Sequence, residues 1–149
     1  MRIWIDGDAC PKIAKQILFR ASIRTKTKLI LVANQLIQTP LSPYISTIIV
    51  PNGFDEADRR IETDSEMGDL VITADIPLAH AVVMKGCMAL NPRGTLYTEA
   101  NIKNQLAMRN LMAQLRDQQL ISGGPSNYNN HDAQILARHL DRILMAQMK

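Results

Sequence analysis

Short apolar runs alternate with segments of helical periodicity over the first two thirds of the chain. Each run has three to six residues and is followed within two residues by a polar residue or a proline. Runs of this length are typical of the buried strands of a parallel sheet. They lie at Ile3–Ile5, Lys28–Ala33, Thr47–Val50, Asp69–Thr73 and Cys87–Leu90.

Three helices are predicted between these strands. Pro11 stands in the first turn of a helix that runs to about Ser22. A short charged helix spans Asp55–Glu66, and Gly86 ends a third helix over Ile76–Lys85. The alternation predicts an α/β fold, with a mostly parallel five-stranded sheet in the order 3-2-1-4-5 and helices on both faces. Residues 1–94 form this core.

The last third of the chain, residues 98–149, changes to a helical pattern. Two helices are predicted, over Asn101–Gln118 and His131–Met148, with a turn-rich loop at 122–130 between them. We expect the apolar stripe of each to be core rather than a dimer surface. Because this pair is too small to fold alone, the chain 1–149 is predicted to be one Rossmann-like domain. The stripes are Met108, Leu111, Met112 and Leu115, and Leu136, Leu140, Ile143 and Leu144.

Composition narrows the class of protein. The chain has 149 residues, a net charge of +3 and a pI near 9.0, a mild preference for polyanions that an ordinary soluble protein also shows. Only 4% of the residues are aromatic, which argues against a base-stacking surface for single strands. Cys10 and Cys87 have no metal-ligand spacing. The chain begins directly on a strand, and prolines interrupt its longest uncharged stretch, so we expect a cytoplasmic protein that does not associate with membranes.

Carboxylates follow two strands that the predicted order makes neighbours. Asp6 and Asp8 follow strand one, and Asp75 follows strand four. Neighbouring strands lie about 4.8 Å apart, so Asp6 and Asp75 are expected side by side. Such carboxylates cannot all stay ionised without help: either they share a proton, or a cation lies between them. Mg²⁺ or Mn²⁺ is the expected cation, since such ions take oxygen ligands and two of them can clamp a phosphodiester.

Each acid also has a structural interpretation. Asp8 is equally well placed to cap the first helix, and Asp55 to cap the helix after strand three, with Asp58 in its first turn. Asp69 precedes its strand, which favours a structural role. Asp6 is different, because a carboxylate that ends a buried strand needs a partner.

A second set of residues is placed to contact a substrate. Thr73, at the end of strand four, can hydrogen-bond a ligand carboxylate or a phosphate oxygen. Four basic residues follow the strand ends or line the next helix and could meet phosphate, although a solvated helix face explains each of them equally well. They are Arg93, Lys103, Arg109 and Arg116.

Several motifs resemble the uncharacterised bacterial YaiI/YqxD family. They cover nearly the whole chain, and the run Gly68–Ala79 is quite specific on its own. The resemblance implies no established activity. The motifs are Asp6–Pro11, Gly53–Asp58, Gly68–Ala79, Pro92–Gly94, Leu106–Met112 with Leu115–Arg116, and Gly123–Pro125.

The chain also resembles a remote branch of the PIN-like nuclease superfamily, in which acids after strand one, in a mid-chain helix and after strand four bind divalent metal and cut RNA or DNA. The resemblance implies that Asp6 is the first acid and Asp75 the acid after strand four. It makes Asp58 the mid-chain acid, with Asp55 as its rival. Asp8 becomes an additional ligand or an outer group. The chain departs from the superfamily in its short mid-chain helix, its Gly-Gly-Pro loop and its two terminal helices.

The leading hypothesis is a divalent-metal-dependent nuclease or phosphodiesterase that acts on nucleic acid, with RNA as the expected substrate. Catalysis and the binding of Mg²⁺ or Mn²⁺ are assigned to Asp6, Asp8, Asp58 and Asp75. The alternative is a non-catalytic nucleic-acid- or protein-binding module whose acids hold a structural cation or cap helices. A phosphatase of the haloacid-dehalogenase type also carries Asp-x-Asp after strand one. It fits less well, because position 10 is a cysteine and the chain has no Asp-Asp pair.

Overall fold

The centre of the fold is a six-stranded sheet in the order β3-β2-β1-β4-β5-β6, seen in a computed structural model that describes residues 1–53, 55–121 and 127–147. Five helices cover the sheet within these residues and complete a single α/β domain. The strands are β1 (Arg2–Asp6), β2 (Lys28–Ala33), β3 (Ile45–Ile49), β4 (Leu70–Ile72), β5 (Met88–Leu90) and β6 (Leu96–Tyr97). The helices are α1 (Lys12–Thr25), α2 (Glu56–Asp64), α3 (Ile76–Met84), α4 (Glu99–Asp117) and α5 (Asn130–Gln147).

The first five strands are parallel and lie in the predicted order. The hydrophobic pattern does not predict β6, which pairs antiparallel with β5 at the edge of the sheet. A strand of two residues is too short to show a periodicity of its own. The turn that joins β5 to β6 packs against α5: a Cβ at Gly94, where φ is 101°, would lie 2.2 Å from Ile135 Cγ2, so this position requires glycine.

Helices lie on both faces of the sheet, as predicted. Because side chains alternate along a strand, β1 sends Ile3 and Ile5 into the core beneath α1 and α5 and sends Trp4 into the core beneath α2, α3 and α4. All three side chains are fully buried. This double burial explains why β1 is a continuous apolar run rather than an alternating one.

The two C-terminal helices pack differently from each other. The predicted stripe of α5 is buried at Leu136, Leu140 and Leu144, against α1. The expectation that the stripe of α4 is core is wrong, since Met108 and Leu111 are 52% and 47% exposed. The reason is length: α4 has 19 residues and packs on α3, which has nine, so the second half of α4 extends beyond its support. The Gly123–Pro125 motif and part of the predicted loop at 122–130 lie outside the described residues.

Asp69 has the structural role that its position before β4 predicts. Its Oδ1 accepts a hydrogen bond from the Arg2 amide (3.0 Å), and its Oδ2 accepts from the Arg2 guanidinium (3.1 Å), Trp4 Nε1 (3.0 Å) and the Glu66 amide (2.9 Å). Burial raises the pKa of this carboxyl, but the hydrogen bonds and the charge of Arg2 outweigh burial and hold the pKa below its ordinary value. The residue ties the start of β1 to the start of β4.

Replacing Asp69 with Asn should lower the free energy of unfolding by about 1–3 kcal/mol at pH 7, because buried donors lose a charged acceptor. Urea unfolding followed by circular dichroism measures this change. A carboxyl whose pKa is lowered by folding stabilises the protein at pH values above its pKa in the unfolded state, near 3.8. This contribution is lost as the pH falls through its pKa in the folded state. The difference between wild type and variant should therefore shrink below about pH 4. The matched control Asp117→Asn, at the exposed end of α4, should change stability by less than about 0.5 kcal/mol. Equal stability of wild type and Asp69→Asn at pH 7 would contradict this account.

Candidate metal centre

The carboxyl ends of β1 and β4 bring two aspartates to one edge of the sheet. Ile5 of β1 and Ile72 of β4 are register partners. Strand β4 ends at Ile72, and β1 ends one residue after Ile5, at Asp6. The Oδ1 atom of Asp6 accepts hydrogen bonds from the amides of Asp8 (3.1 Å) and Ala9 (3.2 Å). Main-chain donors therefore fix the orientation of the first carboxylate.

Asp75 is fixed in a similar way at the start of α3. It is the N-cap residue of this helix, and its Oδ1 accepts a hydrogen bond from the Leu78 amide (2.9 Å). Thr73, which is 6% exposed, accepts a hydrogen bond from the Asp75 amide through its hydroxyl (2.9 Å). A hydroxyl that accepts one hydrogen bond still carries a proton to donate, so Thr73 can also contact a ligand.

Helix α2 adds two further carboxylates. Asp55 is the N-cap residue of α2 in a left-handed conformation (φ 64°), and its side chain makes no capping hydrogen bond. Asp58 lies in the first turn of the same helix. One carboxylate oxygen from each of Asp55, Asp58 and Asp75 lies within 4.8 Å of the other two. The sequence leaves Asp55 and Asp58 as rivals, but the structure brings both to the same site, which we call the carboxylate cluster (Asp6, Asp55, Asp58 and Asp75).

Burial and electrostatic repulsion raise the pKa of two members of the carboxylate cluster, Asp58 and Asp6. Burial raises the pKa of Asp58, and a hydrogen bond to Asp75 and the charges of Asp75, Asp6 and Asp55 raise it further, to about 7. Burial also raises the pKa of Asp6; the amides of Ala9 and Asp8 oppose this shift, while the charges of Asp8 and Asp75 add to it. A protonated Asp58 donating to Asp75 relieves the repulsion, and a cation in the same place would relieve it more completely.

Asp8 lies beside the carboxylate cluster and has partners on another loop. Its Oδ2 accepts a hydrogen bond from the Asn34 amide, after β2, at 2.7 Å. The interpretation of Asp8 as a helix cap is wrong, because Pro11 is the N-cap residue of α1 and no side chain caps this helix. Asp8 and Asp6 both line a cavity of about 220 Å³ that α2 borders on its other side.

The basic residues predicted to meet phosphate lie in different surroundings. Arg109, on α4, lines a cavity together with Asp55, Asp58 and Asp75, so it brings a positive charge next to the carboxylate cluster. Lys103 and Arg116 are exposed on the same helix, on either side of Arg109 along the chain.

Arg93 is held in the turn between β5 and β6. Its Nη1 atom donates a hydrogen bond to Asp132 Oδ2 at 2.9 Å, and its guanidinium lies 5.8 Å from the centre of the Tyr128 ring. The Tyr128 hydroxyl donates to the carbonyl oxygen of Pro92 at 2.7 Å. The two contacts join the turn to the start of α5.

Sequence reasoning missed Tyr128 as a site residue. It lines a cavity of about 270 Å³ that also reaches Asp6, Asp58 and Asp75. An isolated tyrosine in a turn-rich segment carries no local signal, and only the packing of α5 against the turn brings it to the site. Cys10 lines the same cavity, and burial raises the pKa of its thiol to about 12, so the residue is not suited to act as a nucleophile.

Fold and site define an α/β protein with a carboxylate cluster at the carboxyl edge of its sheet. The chain belongs to the uncharacterised YaiI/YqxD family, whose model matches residues 4–146. The resemblance of the sequence motifs to the YaiI/YqxD family is thereby confirmed.

Curated relatives match along the whole chain. A UPF0178 protein of Maridesulfovibrio salexigens is 54% identical over 144 residues, which are 97% of this chain and 95% of that protein. A UPF0178 protein of Hahella chejuensis is 52% identical over 149 residues, all of this chain and 99% of that one. A third, of a Marinomonas species, is 49% identical over the full length of both chains. No solved structure shows a significant match.

The names of these relatives state no activity. Across residues 1–53, 55–121 and 127–147, no helix combines the length and the apolar character that crossing a membrane requires.

Replacing Asp58 with Asn should stabilise the protein more at high pH than at low pH. Between its ordinary value of 3.8 and its folded value of about 7, Asp58 binds more protons in the folded state, so its titration makes the free energy of unfolding fall as the pH rises through this window. Asn resembles the protonated carboxyl and does not titrate. We expect its stabilising effect to be larger at pH 8 than at pH 5 by about 1–2 kcal/mol, a value reduced for the solvent that reaches this half-buried group.

Urea unfolding in EDTA at the two pH values measures the effect. The control Asp117→Asn should differ from wild type in its free energy of unfolding by the same small amount at both pH values. An Asp58→Asn effect that does not depend on pH would show that Asp58 is not under electrostatic strain.

Proposed function

We propose that the protein is a divalent-metal-dependent nuclease or phosphodiesterase that acts on nucleic acid, with RNA as its substrate. The observation that carries the proposal is the convergence of Asp55, Asp58 and Asp75 within 4.8 Å of one another beside Asp6. The resemblance to PIN-like nucleases, which place acids after strand one, in a mid-chain helix and after strand four, supports the same class of reaction.

The chemistry of the donors fits Mg²⁺ or Mn²⁺. Every candidate ligand in the carboxylate cluster is a carboxylate oxygen, and hard divalent cations prefer such ligands, whereas sites for softer metals use histidine or cysteine. Asp55, Asp58 and Asp75 are the proposed ligands, and Asp6 is the proposed ligand of a second ion or a group that orients water. When bound, such ions polarise a phosphodiester and lower the pKa of a bound water.

The protein's own residues supply the remaining functions. Where Asp6 orients water rather than binding an ion, its raised pKa and its orientation by main-chain amides suit it to accept a proton from the attacking water. Thr73 holds Asp75 in place and retains a proton for a phosphate oxygen. Arg109, beside the carboxylate cluster, is suited to neutralise a non-bridging phosphate oxygen.

The spacing of basic residues on α4 favours a polymeric substrate over a single phosphate. Arg109 and Arg116 are seven residues apart, so they project from the same side of the helix about 10 Å from each other. A phosphate that contacts Arg116 is therefore a neighbour of the one at the carboxylate cluster rather than the same group. Lys103, on the first half of α4, adds positive charge to the same element.

Calorimetric titration with Mn²⁺ tests the metal site. Wild type should bind at pH 8, and Asp58→Asn and Asp75→Asn should each bind at least about 10-fold more weakly, because each loses a ligand. The wild-type affinity should fall about 10-fold per pH unit below pH 7, where the proton on Asp58 competes with the ion. The control Asp117→Asn should bind like wild type. A wild type that does not bind Mn²⁺ at pH 8, or variants that bind equally well, would refute the site.

A cleavage assay tests the reaction. Wild type with Mn²⁺ should cut an end-labelled single-stranded RNA, EDTA should abolish cutting, and Asp75→Asn should reduce the rate by at least about 10-fold. Asp117→Asn should cut at the wild-type rate. If wild type binds both Mn²⁺ and RNA without cutting, the protein is the non-catalytic binding module that the sequence also allows.

A further inference from the structure

The cavity that contains Tyr128 crosses the edge of the sheet from one face to the other. At one end it reaches Asp58 and Asp75, of which Asp58 belongs to α2 on one face. At the other end it reaches Cys10 and Tyr128, which pack with the core beneath α1 and α5 on the opposite face. We call this space the Tyr128 cavity. It extends from the carboxylate cluster to Tyr128 and to Arg93, which is paired with Asp132.

The end of the Tyr128 cavity that lies away from the carboxylate cluster carries no uncompensated charge. The charge of Arg93 is paired with Asp132 at 2.9 Å, and the Tyr128 hydroxyl donates to the Pro92 carbonyl. A second phosphate or carboxylate is therefore not favoured here, whereas a flat, uncharged group can contact the side chains of Tyr128 and Arg93, which lie side by side in the lining of the cavity.

We propose that the Tyr128 cavity is a subsite for one nucleobase, whose own phosphate lies at the carboxylate cluster. This inference rests on the proposed function, because it takes the substrate to be a nucleic acid. The volume of about 270 Å³ lies just below the range of about 300–1,000 Å³ typical of pockets for drug-sized ligands, so the cavity suits a single nucleotide and not two stacked bases.

The low aromatic content of the chain agrees with one base subsite. With only 4% aromatic residues, the chain cannot present a row of stacking rings, but one ring placed in a cavity is enough to hold one base. A base enters such a cavity only when it is unstacked from its neighbours, so the subsite selects a single-stranded segment or a frayed end.

Binding of adenosine in EDTA tests the subsite without any metal. Ligand-observed saturation-transfer NMR on the full chain should show adenosine bound and ribose unbound. Tyr128→Ala should weaken adenosine binding by about 5- to 150-fold, the range that one base–aromatic stack contributes. Tyr128→Phe, which keeps the ring and loses the hydrogen bond to Pro92, should bind adenosine within about threefold of wild type.

A second variant keeps the test decisive if Tyr128→Ala does not fold. Ala9 is exposed and lines the Tyr128 cavity, and only its main-chain amide contacts Asp6. Ala9→Leu should therefore fill part of the cavity and block adenosine while leaving Tyr128 in place. Adenosine that fails to bind wild type, or that binds Ala9→Leu as well as wild type, would overturn the subsite.

Calorimetry with Mn²⁺ on the same variants separates this inference from the proposed function. Ala9→Leu and Tyr128→Phe should bind Mn²⁺ like wild type, since neither changes a proposed ligand. Loss of adenosine binding with Mn²⁺ binding intact supports the subsite. Mn²⁺ binding and RNA cleavage without adenosine binding refute the subsite alone, and adenosine binding in EDTA without Mn²⁺ binding refutes the proposed function alone.

The position of the phosphate is tested with AMP. In Mn²⁺, AMP should bind wild type more tightly than adenosine does, and the gain should disappear in EDTA. A gain that persists in EDTA would place the phosphate away from the carboxylate cluster and would overturn that part of the proposal.

Discussion

The parallel pairing of β1 with β4 decides where the chemistry of this protein lies. Because Ile5 and Ile72 are register partners, the chain leaves both strands at the same edge, and the acids that follow, Asp6 and Asp75, meet there. Main-chain amides orient both carboxylates but do not neutralise them. When α2 adds Asp58 to this edge, burial and the neighbouring carboxylates together raise the pKa of Asp58 to about 7.

Carboxylates near the two ends of β1 and β4 have pKa shifts of opposite sign. At the amino end, Asp69 receives four hydrogen bonds, two of them from Arg2, and its pKa is lowered. At the carboxyl end, Asp58 faces other acids, and its pKa is raised to about 7. The compensated carboxylate stabilises the sheet. The uncompensated one costs stability, which is typical of a functional site rather than of a structural ion pair.

Much of the fold could be predicted, because it depends on local patterns. The apolar run of β1 predicts a strand buried on both faces, and alternation with helices predicts the parallel order that brings Asp6 to Asp75. What the sequence could not predict depends on contacts between distant segments. Tyr128 reaches the site through the packing of α5 and through contacts with Pro92 and Arg93, and Asp8 has its partner, Asn34, on another loop. The stripe of α4 has a core-like pattern, and only the short length of α3 leaves it exposed.

Helix α4 is fixed to the domain at its N-terminal end, and its C-terminal half is exposed. Thr98 and Asn101 form a capping box, and Ile102 is fully buried, so the first half of the helix is fixed to the domain. From Asn110 to Asp117 no residue is buried, and helical turns that pack against nothing have little stability of their own in water. Amide hydrogen exchange along α4 should therefore become faster from its first turn to its last. Arg116 then lies on the least stable part of α4, and its position fluctuates relative to the carboxylate cluster, which is fixed.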